Sequence, residues 1–435
     1  MKLRIEPASR PLRGTLRPPG DKSISHRAAI FGGLATGTTR IEGFLVAEDT
    51  LATLGAMAAL GARVRRDAGQ VEIQGGRLHA PDRALDMGNS GTGMRLLTGA
   101  LAGHPDLFGT TLELIGDASL SRRPMRRIIE PLAAMGAQID SSDGHAPLRV
   151  RPVLLKGRTH QLSIASAQVK SAILLAGLQA EGTTTITEPG PSRDHTERLV
   201  PAFGVDIDCG DQRVMLHGPQ RLTACRVSVP GDPSSAAFMI AAAALVPGSS
   251  IEIMQVGVNP TRNGFFRVLE KMSSPSILRL QAQTANAGAE PVASICVTGP
   301  SGLKGVEIPE QWVPLAIDEF PLIMAMAATA GGVTTITGAA ELRVKESDRL
   351  AVMSRQLQRL GVRVDETADG AVVYGGRVDG GEVDAEGDHR IAMSLAVLGL
   401  AANGPVVING AQWIQTSYPG FVDDLNLLGA EARWI

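Results

Sequence analysis

Apolar residues in this chain fall into two alternating kinds of segment. The first is an alanine- and leucine-rich stretch with almost no polar face, opened by a polar turn, closed by a small residue and followed by a Thr/Ile-rich run. It occurs six times, as "DKSISHRAAIFGGLATGTTRIEG", "NSGTGMRLLTGALAG", "SAQVKSAILLAGLQAEGTTTITEP", "DPSSAAFMIAAAALVPGSSIEIMQ", "DEFPLIMAMAATAGGVTTITGA" and "DHRIAMSLAVLGLAANGPVVING". A helix that is apolar on all sides must be covered by neighbours, and the β-branched run after it predicts a strand. The second segment is an amphipathic helix ending in a glycine before a short β-like run. It occurs at "TLATLGAMAALGARV", "RRIIEPLAAMGAQI", "HTERLVPAFGVDI", "RLAVMSRQLQRLGVRV" and "FVDDLNLLGAEARWI", with Gly61, Gly136, Gly204, Gly361 and Gly429 at the stops. A degenerate copy, "NGFFRVLEKMSSPSI", carries Ser-Ser-Pro where the glycine is expected.

The pattern predicts six α/β units of roughly 70 residues each. A single unit cannot bury its all-apolar helix, so the units must pack together. Three per domain is the natural division, with a break near Ser228–Ser235; one ring of six is the alternative.

Polar residues concentrate where each apolar helix begins: Lys22, Ser23 and Arg27; Asn89, Ser90, Gly91, Thr92 and Arg95; Ser166 and Gln168; Asp232, Ser234 and Ser235; Asp318 and Glu319; Asp388, His389 and Arg390. Helix N-termini carry unpaired N–H groups and the positive end of the dipole, and so attract anions. Capping accounts equally well for Ser90, Asp232 and Ser234. It does not account for Lys22, Arg27 or Arg390, whose charge opposes the dipole unless an anion is present. "LSRRPMRR" and "ELRVKESDR" add guanidinium, ammonium and carboxylate groups at the start of the second helix of two units. A solvated helix face is the plainer account of either; together with the corners they suit phosphate or carboxylate recognition and proton transfer.

Composition narrows the chemistry. Of 435 residues, aromatics make up 3% and the formal net charge is −2, so base-stacking platforms and basic footprints for nucleic acid are not expected. The longest apolar run, Ala236 to Val246, is short of the roughly 20 residues a membrane span needs, and the N-terminal stretch lacks a signal-peptide core, which points to a cytoplasmic protein. Cys209, Cys225 and Cys296 form no CxxC pair and are expected to be buried free thiols. No HExxH, GxSxG or dinucleotide fingerprint is present, so neither a metal nor a cofactor is expected.

The ordered motifs "PGDKSISHR", "GNSGTGMR", "GDASLSRRPM", "ASAQVKSA", "SRDHTER", "PGDPSSAAF", "IDEFP", "ELRVKESDRL" and "GDHRIAMS" resemble the EPSP synthase family, the 3-phosphoshikimate 1-carboxyvinyltransferases, over nearly the whole chain. The resemblance implies a two-domain inside-out α/β barrel of six βαβαββ repeats, with residues 21–230 in one domain and 1–20 with 231–435 in the other. It implies transfer of the enolpyruvyl group of phosphoenolpyruvate to the 5-hydroxyl of shikimate 3-phosphate, by a monomer closing over its substrates. By motif, Lys22, Ser23, Arg27, Ser166, Ala167, Gln168, Arg193, Asp318 and Lys345 would hold shikimate 3-phosphate. Lys22, Gly91, Thr92, Arg123, Gln168, Arg349 and Arg390 would hold phosphoenolpyruvate. Glu346 would be the proton donor to the methylene carbon, Asp318 the base on the hydroxyl, and Lys22 the phosphate stabiliser.

"GDASLSRRPM" with "SAQ" resembles the subgroup that includes glyphosate-tolerant bacterial enzymes, yet Gly91 stands where those enzymes carry alanine, so glyphosate is expected to inhibit. Thr416 replaces a lysine found in many relatives, and Ser273–Pro291 departs from the repeat, with a disturbance expected in one outer copy only. Two other functions fit the same pattern: enolpyruvyl transfer to UDP-N-acetylglucosamine, disfavoured because Lys22 is followed by serine and no cysteine precedes Cys209, and anion binding without catalysis.

Overall fold

The computed structural model describes residues 1–67, 69–283 and 290–435. The chain forms two compact units. Residues 20–229 with Glu290 make up the first, and residues 1–19, 230–283 and 291–435 the second.

Each unit holds three of the all-apolar helices. In the first they are α1 (Lys22–Leu34), α2 (Gly91–Leu101) and α3 (Ala167–Gly177), and in the second α4 (Pro233–Leu245), α5 (Phe320–Thr329) and α6 (His389–Gly399). Every residue of α4 is buried, as a helix with no polar face requires. The helices and the inner faces of the sheets form one apolar core per unit.

Six sheets surround these helices among the described residues. The second copy shows the repeat plainly. The parallel edge strand Leu85–Asp86 leads through α2 to Leu112–Ile115, and the helix Arg126–Ala134 then leads into the antiparallel hairpin Gln138–Ser142 and His145–Arg151. That order is βαβαββ. In three copies a strand comes from elsewhere in the chain. Arg226–Ser228 supplies the parallel edge beside Gly37–Glu42, and Arg13–Leu16 does so beside Ser250–Gly257. Lys2–Ile5 lies between Val406–Asn409 and Ala432–Trp434, which ties the N-terminus into the second unit.

The glycines that end the amphipathic helices have a backbone reason. Gly61, Gly136, Gly204, Gly361 and Gly429 all have φ between +80 and +108°, the left-handed region a side chain disfavours. In the degenerate copy Ser273 takes φ −131°, so no glycine is needed there. That copy keeps its hairpin, Leu278–Gln283 with Val292–Thr298; the part of the expected disturbance at residues 284–289 lies outside the described residues. The thiols are free, but the expectation of burial is corrected. Cys209 is exposed and Cys225 and Cys296 are half-buried, because Cys209 lies on an edge strand whose outer positions face solvent. No single described helix is long and apolar enough to cross a membrane.

Candidate active site

The corners where the apolar helices begin carry most of the polar groups, and five of the six are capped by their own side chains. Asp21 accepts from the Ile24 N–H at 2.9 Å, Ser90 from Gly93 at 3.0 Å, Ser166 from Val169 at 3.5 Å, Asp232 from Ser234 at 2.8 Å and Asp388 from Arg390 at 2.8 Å. Ser90 and Asp232 are therefore caps, while the Ser234 hydroxyl turns to Glu319 and accepts from Arg262 at 2.5 Å.

In the first unit the "NSGTGMR" turn meets α3. Gln168 donates from Nε2 to the Thr92 hydroxyl at 2.8 Å, and its carbonyl accepts from Arg95. Arg123 donates to the Asn89 carbonyl, and Asn89 donates in turn to Asp117 at 2.7 Å. Gly91 has ordinary backbone angles; its place is fixed by space, since a Cβ there would lie 3.1 Å from Arg123 Nη1 and 3.4 Å from Arg95 Nη1. Of the four arginines in "LSRRPMRR", Arg123 is brought to this turn, whereas Arg126 is an exposed partner of Asp143.

Lys22, on the first turn of α1, pairs with Asp49. Arg27, one turn on, is buried and donates to the Ser23 carbonyl at 2.9 Å, to Thr196 Oγ1 at 2.7 Å and to Ser171 Oγ at 2.7 Å. Burial lowers its guanidinium to about 10, against the raising effect of Glu197 and Asp21. His26 lies between the two corners, with Nδ1 2.8 Å from Thr53 Oγ1 and Nε2 3.5 Å from Ser90 Oγ. Burial first, then Lys22 and Arg27, push its imidazole well below 6.5, so it is neutral at pH 7.

The second unit gathers its charges around Arg349. This guanidinium, its side chain 1% exposed, donates to Asp388 Oδ2 at 2.8 Å, Glu346 Oε2 at 2.6 Å and Asp318 Oδ1 at 3.3 Å. Burial acts to lower its pKa, but Asp388, Glu346 and Asp318 outweigh that and raise it. Burial likewise acts to raise Asp388, and Arg349 overcomes it and holds the carboxyl below the usual range. Lys345 is lowered by desolvation, which Asp318 and Glu341 only partly offset. Arg390 donates to the Asp318 carbonyl at 2.9 Å and lies 3.6 Å from Glu319. Thr416 is buried and donates to the Trp413 carbonyl at 2.8 Å.

Thus Gly91, Thr92, Arg123 and Gln168 come together, as do Lys22, Ser23 and Arg27, and separately Asp318, Lys345, Glu346, Arg349 and Arg390. Ser166 and Ala167 open α3, and Arg193 is near enough to Arg27 to act on its charge. Sequence reasoning did not single out Asp49, which reads as an ordinary acid in a first helical turn, or Arg262, a lone arginine in "NPTRNG". It also passed over Lys170, although a lysine inside an otherwise apolar helix is a signal. The cations set against the helix dipoles have protein partners too: Asp49 faces Lys22, and Glu319 faces Arg390.

An α/β repeat protein whose helix N-termini collect guanidinium, ammonium and carboxylate groups has the equipment of an enzyme acting on small anions. The sequence matches the family model of EPSP synthase (3-phosphoshikimate 1-carboxyvinyltransferase) over residues 7–425, and the chain belongs to that family. It is 51% identical to the 3-phosphoshikimate 1-carboxyvinyltransferase of Halorhodospira halophila, covering 96% of this chain and 94% of the relative. It is 48% identical to that of Methylococcus capsulatus, covering 97% and 96%. The EPSP synthase structure from Acinetobacter baumannii covers both chains fully, with a TM-score of 0.86 at 44% identity.

Proposed function

We propose that this chain moves the enolpyruvyl group of phosphoenolpyruvate to the 5-hydroxyl of shikimate 3-phosphate, with release of phosphate through a tetrahedral intermediate. The observation that carries this reading is the pair of charge clusters, one in each unit, built from residues the family motifs assign to two small polyanions. Lys22, Ser23, Arg27, Ser166, Ala167, Gln168, Arg193, Asp318 and Lys345 hold shikimate 3-phosphate, and Lys22, Gly91, Thr92, Arg123, Gln168, Arg349 and Arg390 hold phosphoenolpyruvate.

The surroundings of Arg349 suit acid–base chemistry. One guanidinium faces three carboxylates, Asp388, Glu346 and Asp318, and it holds the buried Asp388 carboxyl below the usual range. Asp318 and Glu346 stand on the same guanidinium, which places two carboxyl groups together for acid–base work. Glu346 donates to the methylene carbon, Asp318 takes the hydroxyl proton, and Lys22 stabilises the phosphate. The enzyme acts as a cytoplasmic monomer.

The motif resemblance to the subgroup with glyphosate-tolerant members and the absence of a side chain at Gly91 point in opposite directions for inhibition. We give the glycine precedence, because an added Cβ would crowd Arg123, assigned to phosphoenolpyruvate, and Arg95 beside it, and infer that glyphosate inhibits.

Phosphate release from phosphoenolpyruvate, measured with shikimate 3-phosphate, with UDP-N-acetylglucosamine and with no acceptor, tests the reaction. Release with shikimate 3-phosphate alone is expected. Release only with the nucleotide sugar would reassign the acceptor, and no release with either would leave an anion-binding repeat protein.

A further inference from the structure

The first unit contains a buried charge cluster that the reaction as described does not use. Lys170 lies in the second turn of α3, its side chain 4% exposed, with Nζ 2.6 Å from Glu188 Oε2 and 2.7 Å from Glu197 Oε1. Burial disfavours its charge, but Glu197 and Glu188 outweigh that and raise its pKa, so it is an ammonium at neutral pH. A cation buried this deeply inside an apolar helix is costly unless it is paired, and here two carboxylates share it.

Each partner leads to a group in the proposed shikimate 3-phosphate site. Glu188 Oε1 accepts the backbone N–H of Ser166 at 3.2 Å, and its Oε2 also accepts from the Ser192 hydroxyl at 2.9 Å. Glu197 adjoins Thr196, which accepts from Arg27 Nε at 2.7 Å and shares a 2.7 Å hydrogen bond with Ser171. Glu188 and Glu197 stand at the two ends of the segment that carries Ser192 and Arg193. One ammonium therefore ties both ends of that segment to α3, next to the Ser166 cap.

We infer that Lys170 is a positioning residue for shikimate 3-phosphate: it fixes Ser166, the segment carrying Arg193 and, through Thr196, Arg27 in the arrangement that receives the phosphorylated acceptor. This inference rests on the proposed assignment of those three residues to that substrate. Phosphoenolpyruvate depends on it less, because the Gln168 side chain is held by Thr92 and Arg95 rather than by Glu188.

Steady-state kinetics of Lys170→Met, with each substrate varied in turn, provide the test. Loss of charge-assisted hydrogen bonds at this point should raise the KM for shikimate 3-phosphate about tenfold, and that for phosphoenolpyruvate less than about threefold. The double variant Lys170→Met with Glu188→Gln removes one of the two uncompensated carboxylates, leaving Glu197, yet keeps an acceptor for the Ser166 N–H, and it should recover part of the loss. Glu188→Gln alone serves if Lys170→Met does not fold, and is expected to show the same preference for shikimate 3-phosphate in weaker form. Equal changes in both KM values, or a lowered melting temperature with neither changed, would make Lys170 a structural residue and overturn the inference. Arg193→Ala separates the two levels of the argument. If it leaves the KM for shikimate 3-phosphate unchanged, the site assignment fails; if it raises that KM while Lys170→Met and Glu188→Gln do not, only the positioning role fails.

Discussion

Gly91 shows how much one missing methyl group can decide. Its backbone angles suit any residue, so its importance is spatial: an added Cβ meets Arg123 Nη1 at 3.1 Å and Arg95 Nη1 at 3.4 Å, and guanidinium ends must yield by a few tenths of an ångström. A steric cost of about 1–3 kcal/mol borne only with the inhibitor bound is roughly 5- to 150-fold in its inhibition constant. Gly91→Ala should therefore raise the glyphosate inhibition constant within that range, with a smaller rise in the KM for phosphoenolpyruvate; identical constants for both proteins would remove the steric account. Arg349 makes a complementary point. Its motif suggests a ligand for an incoming anion, yet its guanidinium already faces three carboxylates. Sequence could place those four groups in motifs, but not their pairing, because the partners are up to 39 residues apart.

At the scale of elements, helix ends were the most legible feature. The recurring glycine stop is a local requirement for positive φ, and a local requirement leaves a mark in the sequence. Gly136 (φ +102°) has only the Leu154 carbonyl oxygen near its absent Cβ, at 3.8 Å, so Gly136→Ala isolates the backbone term. It should destabilise the protein by about 1–2 kcal/mol. Gly55 is the opposite case, exposed within the helix Glu48–Ala59, with no atom within 4 Å of a Cβ and no positive φ. Gly55→Ala should stabilise by about 0.5–1 kcal/mol. Denaturant midpoints of the two variants should move in opposite directions; movement in the same direction would contradict the assigned backbone geometry. Edge strands were the least legible elements. Leu85–Asp86 and Arg226–Ser228 have two and three residues, too few for any period to register, and they exist through pairing with distant partners.

For the whole molecule, buried titratable groups set the response to acid. His26, His104 and His160 all have pKa values lowered by burial. Below pH 6.5 the unfolded chain takes up protons that these folded sites refuse, so stability falls as pH falls; for fully buried His26 the slope is about 1.4 kcal/mol per pH unit. Asp388 acts at lower pH. Its folded pKa lies below its ordinary 3.8, so its contribution is present above that value and is lost as pH drops through the folded one. Thermal unfolding between pH 7.5 and 5 should show a falling midpoint, with a shallower slope in His26→Asn; equal slopes would show that His26 is not the neutral buried group described.

The sequence by itself determined the six-fold repeat, the alternation of buried and amphipathic helices, the glycine stops and, through its ordered motifs, membership of the EPSP synthase family, which the family match and the relatives bear out. These are properties of adjacent residues, where period and backbone angle act over a few positions. Only the tertiary structure decided that Arg123 rather than Arg126 meets the glycine turn, that Lys22 answers to Asp49, that Cys209 is exposed, and that Lys170 joins Glu188 to Glu197. Each of these depends on which distant groups a fold brings within a few ångströms. Charge pairing and solvent exposure are set by that distance, and spacing along the chain does not encode it.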